Sequence, residues 1–136
     1  MKAKLIKNAG FSLVEMLVVI AVIGIIAAIA VPNIGRINQA ADDSKDMRNA
    51  QNLASVFSAA AAAGLDFADA THGNGVLTDT INSIVAGDTV EEVGNPFNDT
   101  FFGVPGLGTD DVSGAEVYLQ LTGDATAGYI LQYNTP

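Results

Sequence analysis

The sequence predicts an α+β chain: a long N-terminal α-helix, hydrophobic over its first half, with a small C-terminal antiparallel β-sheet packed on its second half. Three observations predict it. Phe11 to Val31, FSLVEMLVVIAVIGIIAAIAV, is an apolar run of 21 residues in which Glu15 is the sole charge. From Ile34 onward apolar residues recur every three or four positions, the period of one helix face. Late in the chain, segments rich in aromatic and β-branched residues alternate with turn residues, as strands do.

The apolar run comes first. As a helix rising about 1.5 Å per residue, it matches the hydrocarbon thickness of a bilayer, ~30 Å. Lys2, Lys4 and Lys7 precede it, so the positive-inside tendency leaves Met1 to Lys7 in the cytoplasm and sends the rest across. Arg36, Lys45 and Arg48 follow, and every charged residue after Arg48 is acidic. The net charge of −9 excludes nucleic acid as a partner, because phosphate binding needs clustered cations. A polyanion of this kind suits an exported domain. The absence of cysteine removes disulfides, thiolate metal sites and cysteine nucleophiles together.

Glu15 needs a reason, since a carboxylate at the bilayer centre costs roughly 2.5–3.5 kcal/mol on insertion scales. A plain membrane anchor gives none. A secretory signal peptide cut after Ala30, at Ala28-Ile29-Ala30, would release an exported acidic binding domain. That run exceeds the ~7–15 residues of a signal-peptide core, and a signal peptide has no use for a carboxylate.

Past Pro32 the helix resumes. Ile34, Ile37, Ala41, Ser44, Met47, Ala50, Leu53 or Ala54, Phe57 and Ala61 form a narrow apolar stripe, and Ala59 to Ala63 followed by Gly64 reads as a helix closed by a glycine cap. Arg36, Asn38, Asp42, Asp43, Lys45, Asp46, Arg48 and Asn52 occupy the opposite face, a solvated surface or a contact with an adjacent subunit, with Asp42 and Lys45 as helical neighbours. Taken from Phe11 to Ala63, the helix is about 80 Å long.

Gly64 to Gly75 reads as a loop, in which His72 is an exposed residue. A second helix follows, with Leu77, Ile81, Ile84 and Val85 on one face, Thr78 as its cap and Gly87 as its stop. Strands are expected at Thr100 to Val104, Ala115 to Leu121 and Gly128 to Asn134, the last two forming a hairpin around Thr122 to Ala127. In AEVYLQL, Val117, Leu119 and Leu121 share the face that needs covering, and the second half of the helix is the partner for it. GVPGLGTDD reads as turns around Pro105, and no arrangement of Ser, His and Asp, or of phosphate-cradling glycines, marks an enzyme. No cofactor is called for. Asp110 and Asp111, with Asp99 or Asp88, offer oxygen ligands for calcium in a spacing that matches no established motif.

Lys7-Asn8-Ala9-Gly10-Phe11-Ser12-Leu13-Val14-Glu15-Met16 resembles the processing site of type IV pilins and the related type II secretion pseudopilins. The resemblance covers Lys7 to Pro32; Ser12 and Val14 stand where the family more often has Thr and Ile or Leu. It implies that residues 1–10 are a leader, that a prepilin peptidase cuts between Gly10 and Phe11, and that Phe11 is then N-methylated. Residues 11–31 become the membrane and filament-core half of the helix, 32–63 its amphipathic half, and 64–136 a globular pilin-like domain. Glu15 becomes the fifth mature residue, where the family carries its glutamate and pairs it with the Phe11 amine of a neighbouring subunit. Gly24 and Pro32 fall where family members weaken the helix, either to let it melt on assembly or to kink it at the membrane exit.

The partners implied are other copies of the chain, the prepilin peptidase and an inner-membrane assembly machinery. The implied location is the inner membrane for the precursor, single-pass with its N-terminus in the cytoplasm, and an extracellular filament or periplasmic pseudopilus after assembly. The compact size and the GNPF stretch, Gly94 to Phe97, resemble the secretion branch. That branch often binds calcium in the C-terminal region, where other members have a disulfide.

Overall fold

The computed structural model of the chain describes residues 11–135. In order, it holds α1 (Leu13–Ala63), α2 (Leu77–Ala86), β1 (Asp88–Thr89), β2 (Phe101–Phe102), α3 (Thr109–Glu116), β3 (Leu119–Asp124) and β4 (Gly128–Tyr133). The chain divides into two compact units at Ala40, and α1 contributes to both.

In the first unit, the part of α1 up to Ala40 exposes every side chain described there. Its most apolar 18-residue window has a mean hydropathy of 2.9 and is 0% buried, a length and composition sufficient to cross a membrane. Helical structure continues through Gly24 and Pro32 without interruption. At Gly24 an added Cβ would meet nothing within 4 Å, so among the described residues no close approach explains a glycine there.

The second unit is built on the rest of α1. Ala50, Leu53, Phe57 and Ala60 are buried at spacings of three and four, which confirms the stripe where it meets a partner. The stripe ends differently from the expectation: Ala61 is exposed, and Ala60 and Ala63 face inward. A run of alanines gives no contrast between faces, so the sequence could not mark the last inward turn. Around this stripe close Phe67 and Ala68 from the following loop, Ile81 and Ile84 of α2, Val112 and Ala115 of α3, and Leu119 and Leu131 of the hairpin. The β-structure forms two separate two-stranded ribbons, and the β3–β4 hairpin shares the buried cluster with the second half of α1 through Leu119 and Leu131.

Gly64 closes α1 as expected. With φ at +97°, its N–H donates to Ala61 O at 3.1 Å and Leu65 N–H donates to Ala60 O at 2.9 Å, the paired bonds of a Schellman motif. Asn95 adds a side-chain donor, Nδ2 to Ala63 O at 2.8 Å.

Three local expectations are corrected. Thr78 is not the cap of α2; Val76 holds that position without a side-chain bond, while Thr78 Oγ1 donates to Glu116 Oε1 at 2.5 Å. Gly87, with φ at +73°, does stop the helix. The strand expected over Thr100 to Val104 is confined to Phe101–Phe102, which pairs antiparallel with the unanticipated β1, Asp88 opposite Phe102 and Thr89 opposite Phe101. Val104 N–H turns away to Ile84 O at 2.9 Å, tying the chain to the end of α2 instead of extending the ladder.

The third correction concerns Ala115 to Leu121. Ala115 and Glu116 finish α3, and the strand starts only at Leu119 and runs on to Asp124. Val117 is therefore a helix-end residue, 66% exposed, and does not share the face of Leu119 and Leu121. The turn around Pro105 is present, but Thr109 to Asp111 opens α3, and Asp111 accepts a hydrogen bond from Gly108 N–H at 3.1 Å. Acidic residues in a first turn satisfy free amides and the helix dipole. The hairpin itself is as expected, antiparallel from Leu119 opposite Tyr133 to Asp124 opposite Gly128. Asp124 Oδ1 accepts the Thr126 and Ala127 amides, both at 2.8 Å, and so shortens the turn to Ala125–Ala127.

Candidate functional site: the start of the apolar helix

Gly10 and the rest of the leader expected at residues 1–10 lie outside the described residues. The site begins at Phe11, which is 81% exposed. Ser12 precedes the helix and accepts Met16 N–H at 3.2 Å, while Glu15 Oε2 accepts Ser12 N–H at 2.8 Å. Glu15 is thereby one half of a capping box, and it satisfies an amide that a helix start leaves bare. Ser12-Leu13-Val14-Glu15 is an S-x-x-E sequence ahead of an apolar run, the signal by which this partner could have been found. Among the described residues Glu15 has no ion pair, and its second oxygen has no partner. Phe11 and Glu15 line one shallow cleft with Val14, Met16, Val18 and Val19.

The structure therefore brings Phe11, Ser12 and Glu15 together at one helix end and leaves Gly24 and Pro32 further along the same helix. Chemically, the end is a carboxylate in apolar surroundings, and among the described residues one of its oxygens accepts no hydrogen bond. A cation, or a donor carrying positive charge, is what such a group lacks.

The acidic residues considered for calcium do not converge. Asp111 Oδ1 forms an ion pair with Lys45, Asp88 Oδ2 lies 2.9 Å from His72 Nε2, and Asp99 Oδ2 accepts Asn98 Nδ2 at 2.9 Å. Asp110 and Asp111 share a groove with Asp42, Lys45 and Asp46, yet among the described residues no three His, Cys, Asp or Glu side chains form a metal-holding group. The charged face of α1 is consequently not wholly solvated. Lys45 pairs with α3 and not with its helical neighbour Asp42, and the Asp46 carboxylate rests on Gly114, where a Cβ would overlap it.

His72 departs most from its expected place. It is in the loop, but its side chain is only 17% exposed, because both ring nitrogens are occupied and the ring meets Phe67 edge-on at 5.7 Å.

Residues 5–31 match the family model of the prokaryotic N-terminal methylation motif. The match takes in the described site and the apolar part of α1 as far as Val31, and it supports a prepilin-like protein of the type IV pilin and pseudopilin class. An apolar helix at the N-terminus together with that motif fits a membrane-anchored precursor. No curated protein and no solved structure gave a significant match.

Proposed function

We propose that this chain is the precursor of a structural filament subunit. A prepilin peptidase cuts between Gly10 and Phe11, the new Phe11 amine is N-methylated, and the mature subunit polymerises through its N-terminal helix into a type IV pilus-like filament. The observation that carries the reading is the methylation motif over residues 5–31, continuous with a helix of which no described part before Ala40 is buried. Surface of that kind is covered by lipid before assembly and by other copies after it.

Cleavage frees an amine on Phe11 where lipid disfavours charge, and Glu15 holds an open acceptor. Pairing between the amine of one subunit and Glu15 of the next satisfies both and sets the height at which a subunit enters. A subunit entering out of register leaves a charge unpaired, which disfavours it by about 3–5 kcal/mol.

Glu15→Gln tests this role. Glutamine keeps an acceptor for the Ser12 amide and removes the charge, so the helix start survives and the pair does not. The expected result is a precursor that is inserted and cleaved normally but yields no filaments; normal filament yield would remove the role. Recovery of the wild-type subunit in sheared surface filaments, as opposed to retention in the periplasm, decides between a pilus and a secretion pseudopilus.

A further inference from the structure

His72 is the single histidine of the chain. Nδ1 lies 2.8 Å from Asp69 Oδ1 and Nε2 lies 2.9 Å from Asp88 Oδ2. Ionised carboxylates only accept hydrogen bonds, and a neutral imidazole carries a single N–H. Both contacts are hydrogen bonds only when the ring holds two protons. With one proton, a nitrogen lone pair points at a carboxylate oxygen, and that contact opens.

The two contacts are not equivalent. Asp69 is bound into the same loop, where its Oδ1 also accepts the Thr71 and His72 amides at 2.8 and 3.0 Å. Asp88 belongs to β1, sixteen positions along the chain, and only its other oxygen accepts an amide, Thr89 N–H at 2.7 Å. The ring edge against Phe67, which is fully buried, keeps the imidazole beside Asp69. Among the described residues, Asp69 from the loop and Asp88 from β1 are the charged groups that act on the ring.

We propose that His72 is a proton-operated clamp: as imidazolium it ties the loop before α2 to β1 through Asp88, and on losing a proton it keeps Asp69 and releases Asp88. Since β1 pairs with β2 to close the segment from Val90 to Thr100, the clamp governs how firmly the base of that segment is held. The inference stands apart from filament assembly and does not rest on it.

The electrostatics agree in direction. Burial lowers the affinity of His72 for its proton, but the hydrogen bonds to Asp88 and Asp69 outweigh this and raise its pKa above the ordinary value. Asp88 is held below the usual carboxylate range by the His72 hydrogen bond. Burial acts upward on Asp69, and the bonds it accepts from His72 and Thr71 bring it below that range as well. A histidine whose folded pKa is raised stabilises the fold fully below its unfolded value, about 6.5, and the contribution is lost as pH rises through the folded value. The aspartates contribute above about 3.9 and lose their share as pH falls through their lowered folded values. The clamp is closed between these limits.

The test is a pH titration of the full chain in detergent micelles, with 15N-labelled histidine read by NMR; a single histidine makes the signal unambiguous. The expected midpoint lies above the ordinary histidine value. Above it the proton should remain on Nδ1, facing Asp69, and exchange of the amides in the β1–β2 ribbon should accelerate beyond the base-catalysed rise shared by all amides. Asp88→Asn should lower the midpoint. A wild-type midpoint at or below the ordinary value, a proton left on Nε2, or a midpoint indifferent to Asp88→Asn would each overturn the clamp. The wild-type titration and tautomer decide the matter even if the variant does not fold.

Discussion

A glutamate at the head of an apolar helix has two oxygens to satisfy, and the Ser12 amide, 2.8 Å from Oε2, accounts for one. The sequence showed the anomaly, a charge alone in an apolar run, but the capping partner needed the helix start to be placed within one residue. His72 was less legible. Its partners lie three and sixteen positions away among many other acidic residues, and no local pattern singles them out. Gly73 is a further residue whose role only packing reveals. It is buried, and a methyl group there would meet Thr80 Cα at 2.6 Å and Phe67 O at 2.7 Å, both backbone atoms that cannot step aside. Gly73→Ala should destabilise the second unit by about 1–3 kcal/mol, the usual effect of overpacking. Urea unfolding followed by tyrosine fluorescence measures it, and an unchanged midpoint would show that the loop relaxes around the methyl.

Elements were legible in proportion to their length and self-sufficiency. The helix α1 announces itself by an apolar run, by period and by Gly64, and α2 by four apolar residues on one face closed by Gly87. The hairpin follows from alternation around a turn. Eight residues of mixed character form α3, held by the burial of Val112 and Ala115, while the adjoining Val117 and Tyr118 look like strand; tertiary contact overrides that local preference. The two-residue β1 exists only because β2 pairs with it, and nothing in Asp88-Thr89 alone could show it. The central position of α1 in the core gives an element-scale prediction. Leu53 is 0% exposed, so Leu53→Ala should cost about 2–5 kcal/mol in unfolding free energy, read as a lower denaturant midpoint. The same change at Ile37, 66% exposed, should leave that midpoint within the scatter of surface substitutions.

At the scale of the whole molecule, composition and exposure divide the labour. The lysines and arginines of the chain lie at or before Arg48 and the later part carries a net negative charge, which suits the exported unit of the proposed function. The described apolar residues of the first unit are exposed, from Phe11 at 81% to Ile37 at 66%, a surface that a lone soluble chain does not keep. The proposed function joins these facts through one event, removal of the leader to expose an amine next to Glu15. The most direct measurement is therefore mass spectrometry of the N-terminal peptide of the mature chain. The account predicts a chain that begins at Phe11 and carries one methyl group on its amine. A mature chain beginning at Val31, or one that still begins at Met1, would contradict it.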